Sequence, residues 1–479
     1  MSTMHSRRIA IAAALTAAVG FAGPAAAQSA SELAFRNTVK PPPAGWSGPV
    51  FKLSRNYPAT IAAQCDECTW LKVPVSFQPQ FPPPPNNQFV SGKWAEYLQR
   101  ILDYVKLGQD PQFGNTPGFQ VQVNGKTRWF NVPWMAYDPT VGREFVHGTT
   151  NERTAHLSDL LHPENRMRLR GAQPLRGVNV LPGETEQCIK DNKAGFETWS
   201  VGYYNDWGGV ALGKAIPNSG KPAVADYRGT KVPAGLPFPQ GTVVVKFLTT
   251  SAPVDCVPYL KDSPEWQIDR HVLNAQKTAY TCERAVQVSR LVQVDVAVTD
   301  ARSPTGWVYG TYAYNGTQEG KTFWERLTPL GVQFGSDPWT FPAVPKADSI
   351  PAQQSVLNPD IDQQKLPEHF GCNGRLAGPV DNAQSSCMSC HGSAFAAPVG
   401  QLTSMGTNVP ASFGFPGMCQ QYSLANTAYF NNIIIPQKFS GGNFPDAIPL
   451  DTSLQLEVTF TQYGQFNTAG KPVACKLGQ

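Results

Sequence analysis

Residues 286–299 read Val-Gln-Val-Ser-Arg-Leu-Val-Gln-Val-Asp-Val-Ala-Val-Thr, and Val292, Val294, Val296 and Val298 alternate with other residues. A period of two carried by β-branched side chains is the pattern of a strand with one face against a core. Ser303-Pro304-Thr305-Gly306 supplies a turn, and Trp307 to Tyr314 follows as a second strand, so the pair predicts a hairpin. Working outward, Thr242 to Thr249 is another β-branched run. Phe196 to Tyr204 is an aromatic-rich strand that ends near Gly208-Gly209. These segments predict an α+β fold, predominantly β. A β-rich domain spans residues 221–479, and a loop-rich region with a few helices spans residues 28–220.

Helices are expected in fewer places. In Lys93 to Leu107, Trp94, Tyr97, Leu98, Ile101, Leu102 and Val105 fall on one face at steps of three and four. Asn151 to Leu161 predicts a second helix, with Asn151 as its cap and Glu152 in the first turn. Leu454, Leu456, Val458 and Phe460 alternate as a strand would, yet Asp451 or Thr452 offers a helix cap, so both readings stand. Residues 28 to about 90 are Pro-rich and end in Phe81-Pro82-Pro83-Pro84-Pro85-Asn86-Asn87, which favours an extended spacer or surface arm.

The bulk numbers agree with many short elements. Gly (42) and Pro (43) are abundant among the 479 residues, which argues against a helical bundle. Charged residues make up 15% and the net charge is +4, with no long run of one sign, so nothing points to nucleic acid. Residues 1–27 read as an export signal. Arg7 and Arg8 precede the apolar stretch Ile9 to Ala22, and Ala25, Ala26 and Ala27 precede Gln28. Cleavage near Ala27 would release a periplasmic chain with no stable membrane span. Ten cysteines suit that oxidising compartment. Cys256 with Cys282, and Cys419 with Cys475, are pairings suggested by proximity or by fastening the C-terminus.

Ser386-Cys387-Met388-Ser389-Cys390-His391-Gly392 contains Cys-x-x-Cys-His, the c-type haem attachment sequence. Two thiols at this spacing can each add to a vinyl group on one porphyrin edge, and the adjacent His then lies under the iron as proximal ligand. With 10 Cys and 7 His in the chain, about 0.003 chance occurrences are expected. The competing readings are a dithiol redox pair or half of a zinc site. The first lacks the βαβ setting of a thioredoxin-like motif, and the second lacks a nearby Cys pair. Cys65-Asp66-Glu67-Cys68 is followed by Thr69, so it has no proximal ligand and reads as cysteines in disulfides.

A sixth iron ligand would favour electron transfer, and an open face would admit small molecules. Met405 and Met418 are the methionines downstream of the motif; Met418 is kept as the distal candidate against plain loop packing. His147, His156, His162, His271 and His369 are the other histidines after the signal, each weighed against an ordinary structural role. The aromatic residues of Trp199 to Tyr204 and Trp307 to Tyr312 read as sheet core or as walls of a haem cavity.

In its haem motif, over these few residues, the chain resembles c-type cytochromes. Over residues 232–400, the order Phe238-Pro239-Gln240-Gly241-Thr242, Val243 to Lys246, Gly306-Trp307-Val308-Tyr309 and then Cys-x-x-Cys-His is similar to the cytochrome P460 and cytochrome c′-beta group. That resemblance implies a mainly β haem domain and an open or weakly occupied distal face. It carries over only Cys387, Cys390 and His391, and the lysine–haem cross-link of cytochrome P460 has no assignable counterpart. The expected function is periplasmic electron transfer by one covalent haem c with a redox partner protein. The alternatives are a haem oxidoreductase of peroxidase or nitrogen-oxide type, and a gas-binding module.

Overall fold

The computed structural model describes residues 46, 51–77, 88–113, 118–133, 136–138, 142–144, 149–152, 155–161, 188, 195–217, 238–273, 280–335, 354–361, 366–367, 371, 375–382, 385–392, 394–396 and 448–469. The fold is α+β and predominantly β. Its centre is a nine-stranded antiparallel sheet. The strands are β1 (Trp129–Phe130), β2 (Thr150–Asn151), β3 (Thr198–Asn205), β4 (Val243–Thr250), β5 (Glu265–Leu273), β6 (Tyr280–Thr299), β7 (Trp307–Tyr314), β8 (Leu327–Gln333) and β9 (Ser355–Leu357). Their order is β9-β8-β7-β6-β4-β3-β1, with β2 also on β3 and β5 also on β6. The expected hairpin is β6–β7, with Val298 opposite Val308 and Val294 opposite Tyr312. Strands from before and after residue 221 share this sheet, so the 220/221 divide runs through one structural unit.

Alternation gives the sheet two unlike faces. Register aligns Val245 with Tyr203 and Val296, and Val296 with Gly310. These residues, with Phe247, Val294 and Tyr312, bury one face. Helix α1 (Trp94–Val105) lies on it and buries the apolar stripe read from its sequence. The Tyr312 hydroxyl donates to Leu98 O at 2.7 Å, and the Tyr97 hydroxyl donates to Asp300 Oδ2 at 2.9 Å. Gly310 permits this approach, because a Cβ there would come within 2.5 Å of Leu98.

Several expectations are corrected. Phe51, Trp70, Val73 and Phe77 are buried in the α1-side core, so residues 51–77 are part of the globule rather than a spacer; Phe81 to Asn87 lie outside the described residues. The helix expected over 151–161 shrinks to the single turn Leu157–Leu160, capped by His156. Asn151 instead pairs with Trp199 at the sheet, where ladder bonds replace a helix cap. A helix absent from the sequence reading, α2 (Asp206–Ala215), follows β3 directly. Asn205 starts it: its Oδ1 accepts from Gly208 N at 3.1 Å and Val243 N at 3.0 Å, so one side chain caps the helix and ties it to β4. Gly209 marks close packing on Phe130, not a strand end.

The ambiguous C-terminal segment is helix α4 (Leu454–Ala469), and Ser453 Oγ accepts from Leu456 N at 3.3 Å as its cap. Leu456, Phe460 and Tyr463 are buried at helical spacing. Cys65 and Cys68 form one disulfide. Cys188 and Cys256 form another, which overturns the Cys256–Cys282 pairing. Proximity in sequence misled here because a disulfide needs its Cα atoms within about 7 Å, and the Cys188 and Cys256 Cα atoms are 5.6 Å apart. Cys419 and Cys475 lie outside the described residues. Among the described residues, no helix is long and apolar enough to cross a membrane.

Candidate haem-attachment site

The second sheet face carries the chemistry. Its cross-strand rows include Tyr204, Val244, Ala297 and Tyr309, then Gly202, Lys246, Asp295 and Thr311. Helix α3 (Cys387–His391) lies over this face. The Met388 N–H donates to Gln333 Oε1 at 3.0 Å, the Cys387 N–H donates to Leu376 O at 3.1 Å, and the Met388 side chain is fully buried. One turn of helix is thereby pinned to sheet strand β8 and to residues 375–382.

Cys387 and Cys390 occupy positions three apart on that turn, which puts both sulfurs on one side. Both are free thiols, whereas Cys65 and Cys68, at the same spacing, are joined. Burial, with Asp381 and Asp295 adding negative charge, pushes the Cys387 thiol well up. Burial pushes Cys390 up to about 11. Both are therefore neutral thiols at physiological pH.

His391 is oriented by a backbone acceptor. Its Nδ1 lies 2.8 Å from Thr452 O, and a carbonyl can only accept, so the proton sits on Nδ1. Nε2 has no hydrogen-bond partner among the described residues and is left with its lone pair outward. Burial pushes the ring down to about 4, so the imidazole is neutral near pH ~7. The Tyr309 ring flanks it at 4.5 Å between centroids, and the Tyr309 hydroxyl donates to Thr452 Oγ1 at 2.5 Å.

Thr452 is in place because the backbone bends sharply there. Asp451 and Thr452 have φ of 47° and 64°, a left-handed pair without glycine. Such strain persists where neighbours over-determine it. Asp451 accepts from the Phe238 N–H and from Trp307 Nε1, both at 3.0 Å, and this locks the turn. The residues read as possible caps of α4 thus serve His391 instead.

The surroundings fit a haem. Cys387 packs against two apolar clusters, one containing Tyr309, Leu456 and Phe460 and the other Leu376, Val380 and Leu248. Between them Val244, Lys246, Asp295, Ala297, Cys387, Cys390 and His391 keep accessible surface, although central strands of a covered sheet face are otherwise buried. These partly exposed residues bring together apolar neighbours, two thiols and one imidazole, the donor set a covalently held porphyrin requires. When bound, the haem would supply a one-electron iron couple.

Sequence reasoning missed the polar residues of this site. The Lys246 ammonium pairs with Glu152 Oε1 at 2.9 Å. Asp295 lies beside Lys246 in register, and Gln293 Nε2 reaches both Asp295 Oδ1 (2.7 Å) and Asp381 Oδ2 (3.1 Å). The signal was present as charged residues interrupting Val-rich central strands. Among the other candidates, His156 starts a helical turn and His271 lies on β5. Met405, Met418, His147, His162 and His369 lie outside the described residues. Among the described residues, no group of three or more His, Cys, Asp or Glu side chains could hold a metal ion by themselves.

Glu457 makes the site pH-sensitive. It is 7% exposed, its Oε2 has no hydrogen-bond partner among the described residues, and burial pushes it up to about 8. A carboxyl raised on folding stabilises fully below its unfolded pKa, and that contribution is lost as pH rises through the folded value. Stability should therefore fall by a few kcal/mol between about pH 4.5 and about pH 8. Denaturant midpoints across this range should show Glu457→Gln gaining on the wild type as pH rises; parallel curves would exclude a titrating Glu457.

Compared with known protein families, curated proteins and solved structures, the chain matches none. The reading of this site therefore rests on its own residues.

Proposed function

We propose that this chain is an exported c-type cytochrome that carries one haem c on Cys387 and Cys390, with His391 as proximal iron ligand, and transfers electrons to or from a periplasmic partner protein. The observation that carries the reading is the His391 Nδ1 contact to Thr452 O beside two free thiols on the same helical turn. An imidazole tied through Nδ1 is fixed in one tautomer and orientation, which is how a protein tunes a ligand from outside the coordination sphere. The export signal read in residues 1–27 supports delivery to the compartment where such haems are attached.

A second reading, a haem oxidoreductase with an open distal face, is favoured by the charged groups Lys246, Asp295 and Asp381 at the site. Charged side chains beside a haem suit proton delivery to a bound small molecule better than simple insulation of an electron carrier. The likeness to the cytochrome P460 and cytochrome c′-beta group points the same way. Ferric and ferrous optical spectra, with and without carbon monoxide, separate the two. Low-spin iron indifferent to carbon monoxide supports electron transfer. High-spin iron that binds it supports the oxidoreductase or a gas-binding module.

A further inference from the structure

The row Gly202, Lys246, Asp295 and Thr311 crosses the middle of the sheet, where the opposite face carries Tyr203, Val245 and Val296. Its charges do not balance. The one ammonium of Lys246, paired with Glu152 at 2.9 Å, also faces Asp295 and Asp381, so a single cation serves three carboxyls, two of which share the neutral amide of Gln293. Asp295 also accepts from the Thr311 hydroxyl at 2.9 Å, and Asp381 from the Gly378 N–H at 2.7 Å. A second carboxylate on the same amide disfavours the ionised form of Asp295. Burial and Asp381 accordingly push Asp295 up to about 8.

A second observation points into the same row. Gln455, on α4, lies directly over Gly202, and a Cβ there would meet its amide at 2.2 Å. Gln455 is 7% exposed, yet its Oε1 has no hydrogen-bond partner among the described residues. A buried acceptor left open beside a partly accessible ion pair marks a place for a mobile donor such as water. The other charged or titratable groups facing Asp295 are Lys246 and Cys387, and Glu457 lies toward Cys390.

We propose that Asp295, with Asp381 beside it, is a proton-binding site coupled to reduction of the haem. The inference rests on the haem reading above. At a pH where Asp295 is deprotonated in the oxidised protein, each electron accepted from a one-electron donor draws one proton from solvent to a carboxylate oxygen of Asp295, and that proton returns to solvent on reoxidation. The cause is electrostatic: an electron added to a group held at Cys387, whose thiol already feels Asp295 and Asp381, would raise the carboxylate's proton affinity by about tenfold or more. In that pH range the device serves either reading of function, because the proton offsets the added electron.

Spectroelectrochemical titration of the haem-loaded protein from about pH 5 to about pH 9 tests this. In the wild type the potential should be level at low pH, where the pair keeps its proton in both states. It should then fall with rising pH, by about 30 mV per pH unit for a tenfold change in affinity and by at most ~59 mV per unit for a larger one. In a Glu457→Gln background, which removes the other carboxyl titrating in this pH range, Asp295→Asn should give a level potential throughout, with unchanged Soret absorption and covalent mass, while Glu457→Gln with Asp295 intact should keep the slope. Asp381→Asn should keep the slope but move it to lower pH, because the like charge is gone. A wild-type potential independent of pH, or the same slope in Asp295→Asn on the Glu457→Gln background, would overturn the proposal while leaving the haem reading intact. Absence of both Soret absorption and added mass would overturn the haem reading, and this proposal with it.

Discussion

Replacing Cys387 and Cys390 together by alanine is expected to yield a folded protein whose denatured chain has its apoprotein mass. Each thioether alone tethers the porphyrin, so single variants should keep a covalent haem in reduced yield and only the double variant should lose the covalent attachment fully. His391 remains in that variant, with Nδ1 still on Thr452 O, so any haem it retains is held by the imidazole alone and is released on denaturation. The fold should survive because α3 is pinned by Met388 to Gln333 and by the backbone of residue 387 to Leu376, neither of which needs a thiol. Lost packing at two half-buried sulfurs should cost less than about 2 kcal/mol. Circular dichroism and denaturant titration would check that, and a double variant whose denatured chain still carries the mass of haem would contradict covalent attachment at this turn.

Phe247→Ala is expected to lower the unfolding free energy by roughly 3–5 kcal/mol. The ring is fully buried on the α1 side of β4, with centroids 4.9 Å from Phe113, 5.0 Å from Phe119 and 6.2 Å from Tyr203. These neighbours come from three separate segments held in place by their own packing, so the space left by the ring cannot close by a small shift. Such a loss is a large share of the stability of an ordinary domain, about 5–15 kcal/mol. The haem spectrum of molecules that remain folded should not change, because Phe247 faces away from the site. A denaturant midpoint within experimental error of the wild type would show that this core is not closely packed.

Much of the sheet was legible because alternation survives in its central strands. Gln293 to Thr299 and Trp307 to Ala313 form the hairpin read from the sequence, and a slip of one residue would turn Val294, Val296 and Val298 to the wrong face. Val292 departs from that alternation, because a bulge beside Leu291 shifts the register and Val292 packs in a different cluster. Helix α1 was equally plain, as its stripe is continuous and its partner face is apolar. Residues 51–77 were misread because Pro-rich composition describes backbone preference and says nothing of where Trp70 or Phe77 packs. Helix α2 was hidden by Gly208 and Gly209, which are poor helix formers kept for close contact with Tyr204 and Phe130. At the site, Cys387, Cys390 and His391 stood out because their chemistry demands a fixed local spacing. Thr452 and Asp295 did not, because one acts through its backbone carbonyl and the other through neighbours distant in sequence.

The most direct measurement is mass spectrometry of the chain, intact and after proteolysis, from a host able to mature c-type cytochromes. A mass increase of one haem, carried by the peptide that spans residues 387–391 and accompanied by Soret absorption, is the predicted result. An unmodified chain in which Cys387 and Cys390 are joined to each other, with no visible absorption, would contradict the account.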